Sequence, residues 1–451
     1  MPSDFELNIS RYQTFLRDCL DPAVYVGASP LEASMYAITD PKSDPISPEE
    51  ALKQSFTPVH TGLRWGPKWS TAWFRVTGTV PASLAGQHVV LRFSSGTEAQ
   101  VWEKNTSCVW VAVQGLDVNR DALTLLAHAT GGETIDVLIE AACNHPFGVL
   151  GFEWDPAEVV ARWNSDLPGR FEICEVAAHD SLAWEIKHAY TFTLGLLKEL
   201  SSRNGQGPLQ EIAAESSRAM NLYGALRLAT TQIEPYLKSL GETQAARESM
   251  QAGLATLSHA LKVNASGSTT VCHAIGHAHI DTAWLWPIRE TKRKCLRSFS
   301  NQLRLMERFP DYIFLCSQAQ QYAWVKEQSP DLFAQIAKRV EEGRWEPGGA
   351  MWIEPDANCP SGESLIRQIL HGTNFWKREF GNAGTQSFLY LPDTFGFPAS
   401  LPQIMAHAGL KMFITNKMVW NRSNVFPHTT FVWRGIDGSQ VLAHNTPGHD
   451  Y

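Results

Sequence analysis

Apolar and polar positions change their period along this chain, and those changes divide it. From Ile9 to Leu20 the apolar residues recur at helical spacing, and the Pro-punctuated connector PKSDPISPEE follows, so residues 1–55 read as a helix and connector. From Phe56 the period drops to two. STAWFRVTGTV, HVVLRFSS, AQVWEKN, CVWVAVQ and TIDVLIEAA are strand-like runs separated by turn residues. They predict an antiparallel β-sandwich over residues 56–150, ending near Asn144–Gly148.

The period then returns to helical. DSLAWEIKHAYTFTLGLLKEL ends at the break SRNGQGP, and two Ala-rich amphipathic runs follow it, PLQEIAAESSRAMNLYGALRLATTQIEPYLKSL and ETQAARESMQAGLATLSHALKV. The small polar linker NASGSTT closes this helical segment, residues 151–270. From Val271 short buried-type strands alternate with helices: VCHAIGHAHI, YIFLCS, RWEPGG, SFLYLPD and MFITN are the strands. That alternation predicts a parallel (β/α) barrel-like domain over residues 271–451, with function where strands end and loops begin. No internal repeat or low-complexity tract interrupts the pattern.

Composition narrows the function classes. The 451 residues carry 38 Lys+Arg against 46 Asp+Glu, a net charge of −8, and 44% are hydrophobic with sixteen Trp. That is apolar material for several cores, which excludes a disordered chain. A mildly acidic balance without a Lys/Arg block argues against nucleic-acid or anionic-membrane partners. No apolar run approaches the roughly 18 residues of a spanning helix. Asp4 and Glu6 stand where a signal peptide would be positive and then apolar. The eight cysteines are scattered and form no CxxC, which predicts free thiols in a reducing compartment. Asn8, Asn105, Asn264 and Asn421 each begin an Asn-x-Ser/Thr triplet, which carries little weight without a signal peptide.

The candidate chemistry gathers at strand ends. In Gly276–Asp281, GHAHID, strand alternation puts His277, His279 and Asp281 on one face. Two imidazoles and a carboxylate suit a borderline metal such as zinc; the alternative is a polar face satisfied by internal hydrogen bonds. Asp393 directly follows the apolar strand SFLYL, as a ligand, a nucleophile or a cap, and Ser400 is the better placed cap for the next helix. The loop GGAMWIEPDANCPSGESL brings Glu354, Asp356 and Glu363. Ser361, Gly362 and Glu363 look like a helix start, while Asp356 is either a substrate contact or a turn former. Trp284, Trp286 and Trp352 follow the same strands, where aromatic faces suit the C–H faces of sugars or simply fill the core.

Three stretches together carry a resemblance: GHAHIDTAWLWPIRE, GRWEPGGAMWIEPDANCPSGESLIRQ and LYLPDTFGFPASLPQI. The chain resembles glycoside hydrolase family 38, the retaining α-mannosidases, in its cytosolic and vacuolar branch. GLRWGPKWSTAWFRVTGTVP, EAQVWEKN and IDVLIEAACNHPFG resemble that branch's leading β-domain. The resemblance implies that His279 and Asp281 ligate a divalent metal, usually zinc and sometimes cobalt. It makes Asp393 the nucleophile, also touching the metal, and Trp284 the aromatic beneath the bound mannose. His277 is not carried over as a ligand. The substrates implied are mannose-containing oligosaccharides, hydrolysed through a glycosyl-enzyme ester. The cytoplasm, or the vacuole reached without a signal peptide, is the implied location, and a homo-oligomer is suggested.

The family draws a further His ligand and its acid/base carboxylate from segments that match nothing before Tyr451. His428, His444 and His449 stand in contexts that fit no ligand motif. The expectation is therefore a barrel incomplete at its C-terminal end. Two other readings remain open at this point: a glycan-binding fragment without catalysis, and a metal-dependent polysaccharide deacetylase.

Overall fold

The computed structural model describes residues 4–203, 217–240, 244–262, 271–420, 423–424 and 426–446. The SRNGQGP break from Asn204 onward, the start of the helical run after it, the NASGSTT linker with Asn264, and Asn421 and His449 lie outside the described residues.

Two antiparallel sheets build the sandwich. One has the order β1 (Tyr25–Pro30), β12 (Ile173–His179), β6 (Val89–Ser94) and β9 (Ala122–Leu126). The other has the order β3 (Thr57–Val59), β2 (Glu32–Ile38), β5 (Thr71–Thr79), β10 (Thr134–Ala142), β7 (Glu98–Lys104) and β8 (Trp110–Leu116). A two-stranded ribbon of β4 (Arg64–Trp65) and β11 (Gly169–Arg170) closes one end. Phe74, Val76, Phe93, Val101, Ile139 and Phe171 fill the space between the sheets. The strands extend on both sides of 56–150, because Ala33 of β2 and Val176 and Ala178 of β12 complete that core.

The second sheet is buried on its outer face as well. Alternation turns Phe74 inward and its neighbour Trp73 outward, and Trp73, Trp102 and Leu138 pack against Cys295, Leu296 and Phe299 of the helix Ile288–Arg308. The approach of that helix to β8 demands a glycine. A Cβ on Gly115 would lie 2.7–2.9 Å from the Cβ, Cα and carbonyl oxygen of Arg297. We therefore expect Gly115→Ala to destabilise the chain by about 1–3 kcal/mol, the usual range for an overpacked contact, as a lower urea midpoint at unchanged slope.

Charge, not only apolar contact, joins the same two elements. Glu98 of β7 meets Lys294 Nζ at 2.6 Å and Arg297 at 3.0 Å. Arg293 bonds Glu140 of β10 at 3.0 Å and Glu290 at 3.3 Å, and Arg297 bonds Glu290. All six side chains are at most 13% exposed.

The helices Ser181–Arg203, Ser217–Leu240 and Gln244–Leu261 pack with the N-terminal helix Asp4–Phe15 around Tyr12, Phe15, Tyr190, Leu226 and Leu257. The first helix thus packs as part of the helical body. None of the described helices is long and apolar enough to cross a membrane.

Beyond residue 271 the expected barrel gives way to two open sheets. β13 (Gly276–His277), β14 (Phe314–Cys316) and β15 (Trp345–Pro347) form one parallel sheet. The other has the order β16 (Phe388–Tyr390), β17 (Met412–Thr415), β19 (Gln440–Asn445) and β18 (Thr430–Arg434). In it β16, β17 and β19 run parallel, while β18 pairs antiparallel with β19. β15 ends on a proline and two glycines, and the two sheets approach there through one backbone bond, Tyr390 N to Gly349 O at 3.4 Å. The βα rhythm in the sequence marked five of these seven strands and missed β18 and β19, and the described residues show two sheets without barrel closure.

Candidate active site

The parallel strands each deliver a polar side chain from the end where they stop. His279 and Asp281 follow β13, Ser317 follows β14, Glu354 lies beyond β15, Asp393 follows β16 and Lys417 follows β17. Parallel strands place such residues on one rim, which is why residues far apart in sequence meet.

His279 is the centre of the group. Its Nδ1 lies 2.7 Å from Glu354 Oε2, and its Nε2 lies 3.3 Å from Asp281 Oδ1 and 3.2 Å from Asp393 Oδ2. The Glu354 side chain is only 4% exposed, and Ser317 donates its hydroxyl to the other Glu354 oxygen. Burial opposes charge on the His279 ring, but the carboxylates of Asp281, Asp393 and Glu354 beside it outweigh that and push its pKa up to about 12. Three carboxylates around one imidazole make a place that favours positive charge.

Those distances suit a metal ion. His279 Nε2 is buried and makes no hydrogen bond of good geometry, although the two carboxylates stand beside it. Ligand atoms about 2.0–2.2 Å from a tetrahedral zinc lie roughly 3.3–3.6 Å from one another, close to the two Nε2–carboxylate separations observed. His279, Asp281 and Asp393 are also the group among the described residues whose donor atoms converge within 4.8 Å. Glu354 accepting from Nδ1 fixes the tautomer that leaves Nε2 free for a metal. We expect Glu354→Gln to weaken zinc binding by about 10–100-fold in a calorimetric titration, the usual cost of losing such a partner.

Backbone anchors hold the His279–Asp281 segment. Gln318 and Gln321 donate their side-chain amides to Ile280 O at 2.8 and 2.7 Å, and Thr291 and Trp286 donate to Asp281 O at 3.0 and 3.2 Å. Gln318 reaches its position with a φ of +71°, unusual for a residue other than glycine.

Lys417, with 1% of its side chain exposed, places Nζ 2.8 Å from Asp393 Oδ1. The same ammonium lies 3.8 Å from the Trp420 ring centroid and 5.1 Å from that of Phe395. A cation at this distance favours the ionised Asp393. Sequence reasoning missed Lys417, Ser317 and the part played by Glu354. The signal for Lys417 was the position that revealed Asp393, a polar residue just after an apolar strand, here MFIT.

The remaining expectations divide. Trp284 is 53% exposed, its ring edge-on to Trp286 at 5.5 Å, and free to face a ligand. His277 is not in the group: it packs edge-on against Tyr390 at 4.9 Å, and burial lowers its pKa to about 4. Asp356 is exposed and accepts from the backbone N–H of Asn358 and Cys359 at 2.7 and 2.8 Å, so it forms the turn rather than joining the site. Ser361 caps its helix through Ser364 N, with Glu363 in the first turn bonded to Arg367. Ser400, the better placed cap by sequence, precedes the helix Leu401–His407 with a helical backbone and makes no side-chain capping bond. Trp352 bonds Gln320 and packs on Phe375. His444 bonds Thr430 on the β18–β19 pair, and His428 is exposed.

Residues 269–451 match the N-terminal domain of glycosyl hydrolases family 38, and residues 30–181 match the jelly roll domain of alpha-mannosidase. Alpha-mannosidase 2C1 of Homo sapiens is 36% identical over 97% of this chain, which spans 39% of that protein. Alpha-mannosidase G of Dictyostelium discoideum is 34% identical over 91% of this chain and 35% of its own length. Alpha-mannosidase of Saccharomyces cerevisiae is 46% identical over 40% of this chain and 17% of its own length. The chain therefore spans less than half the length of the curated relatives it matches.

Proposed function

We propose, from the match of residues 269–451 to the N-terminal domain of glycosyl hydrolases family 38, that the chain carries the metal-binding and nucleophilic part of a retaining α-mannosidase active site. The substrate would be a terminal α-linked mannose of an oligosaccharide. The observation that carries this reading is Asp393, held between the Lys417 ammonium at 2.8 Å and His279 Nε2 at 3.2 Å.

His279, Asp281 and Asp393 would hold a divalent cation, zinc by its donor set, with cobalt as the alternative. When bound, it supplies Lewis-acid polarisation of sugar hydroxyls. The protein's own groups do the rest. Trp284 offers its exposed ring to the C–H face of the mannose. Lys417 pairs with Asp393 through Oδ1 and fixes the carboxylate in place, and that carboxylate attacks C1. The C1–O bond to the aglycone breaks as the ester to Asp393 forms. The departing oxygen takes a proton from a general acid, or leaves as the anion when the aglycone is acidic. Water then adds to C1, loses a proton and releases Asp393, so two inversions give net retention.

A (β/α)-barrel arrangement for the whole catalytic region is part of this proposal, supported by the shared rim at the ends of the parallel strands β13 to β17. The cytosol as site of action is supported by eight free cysteines, five of them buried.

Dinitrophenyl α-mannoside tests the reading without the general acid, because its leaving group needs no proton. We expect zinc-dependent release of dinitrophenol from the α-mannoside and none from the β-mannoside. Equal release from both anomers, or release unaffected by chelation, would count against the proposal.

A further inference from the structure

The loop leaving β10 carries aromatic rings that the candidate active site does not use. Phe147 is 56% exposed and Trp154 is 77% exposed. Phe152 links them: it stacks on Trp154 with centroids 4.5 Å apart and 6° between planes, and meets Phe147 edge-on at 6.2 Å. Exposed rings in a continuous strip mark a binding surface more often than isolated ones do.

This loop is tied down rather than free. Asn144, fully buried, donates its amide to Glu98 at 2.8 Å. His145 and Gly148 exchange backbone bonds of 2.8 and 2.9 Å, and the His145 ring meets Leu150 O at 2.6 Å. Lys294, from the helix of the hydrolase region, donates to Pro146 O at 3.1 Å, and Asp155 accepts from Phe152 N at 2.9 Å. Rings fixed in this way lose little entropy on binding.

The loop also abuts the candidate site. A Cβ on Gly148 would lie 2.8 Å from the Leu285 carbonyl oxygen. Leu285 sits between Trp286 and the exposed Trp284, so the strip begins against the segment that presents the ring expected under the terminal mannose. Glu153, exposed between Phe152 and Trp154 in sequence, adds a carboxylate that can accept from hydroxyls.

We propose that Phe147, Phe152 and Trp154 form an outer subsite for the sugar units behind the terminal mannose, supplied by the sandwich and not by the hydrolase region. The occupant is a mannose oligosaccharide, because pyranose C–H faces stack on such rings and the loop that carries the strip packs through Gly148 against Leu285, next to Trp284. The proposal rests on the mannosidase reading of the site and gives the sandwich a part in choosing substrate length.

Calorimetric titration of the zinc-loaded chain with methyl α-mannoside and with a sulfur-linked, non-hydrolysable mannotetraose tests it. The tetraose should bind roughly tenfold more tightly, the gain expected of one or two ring contacts. Trp154→Ala should erase that gain and leave methyl α-mannoside binding unchanged, and Trp154→Phe should restore most of it. Binding of methyl α-mannoside with no gain for the tetraose, or a gain that survives Trp154→Ala, overturns the outer subsite alone. Failure to bind either sugar overturns the mannosidase reading and the subsite together.

Discussion

Asp393→Asn is expected to cut release of dinitrophenol from the aryl α-mannoside by at least about 10³-fold, or about 4 kcal/mol of barrier. The amide cannot form a glycosyl ester, so the step that breaks the sugar bond loses its nucleophile. Asp393 also stands in the metal group, and the two roles separate on measurement. An asparagine carbonyl oxygen remains a donor, so zinc content measured on the purified variant should stay near that of the parent. Turnover and zinc lost in parallel would point to metal holding alone. Turnover retained would remove Asp393 from the chemistry.

Arg297→Ala should destabilise the chain by about 3–5 kcal/mol, the range for breaking a buried ion pair. Arg297 serves two buried carboxylates at once, Glu98 at 3.0 Å and Glu290. Removing it leaves Glu98 with Lys294 and Glu290 with Arg293 as their remaining cationic partners between the sandwich and the helix Ile288–Arg308. The pH dependence has a definite sign. Burial alone would raise the Glu98 carboxyl, but Arg297 and Lys294 outweigh it and hold its pKa down at about 2, against 4.5 ordinarily. A depressed folded pKa stabilises above the unfolded value, so this contribution is complete above about pH 4.5 and is lost as pH falls toward 2. Urea midpoints measured across that window should fall steeply for the parent and less steeply for Arg297→Ala. Parallel curves would show that Arg297 is not what holds Glu98 ionised.

Local pattern made much of the fold legible, and long-range partnership hid the rest. The period of two in TAWFRV and TIDVLIEAA marked β5 and β10 correctly, since alternation is a property of the strand itself. The same runs could not show that Trp73 and Leu138 would be covered by a helix more than 140 residues away. Nothing local in TKRKCLR shows that Arg293, Lys294 and Arg297 are buried, because the Glu98 and Glu140 that meet them lie in the sandwich. At the site, His279, Asp281 and Asp393 were visible because each ends an apolar strand with a group of known chemistry. Glu354 was visible only as a loop carboxylate, because its partner His279 is 75 positions away. Asp356 stood in the same loop, and sequence alone could not tell the ligand holder from the turn former. β1, β2 and β12 escaped the expected sandwich limits because their pairings are long-range: β2 joins β5 and β12 joins β6 from far along the chain, and β1 pairs with β12.

A mannosyl fluoride that carries a further ring fluorine forms a glycosyl ester quickly and hydrolyses it slowly. Incubating it with the zinc-loaded chain and mapping the labelled peptide by mass spectrometry tests the assignment of Asp393 most directly. The account predicts a single mannosyl label on the peptide LPDTFGF, at Asp393. A label on another carboxylate, or no label on protein that binds both zinc and methyl α-mannoside, would contradict it.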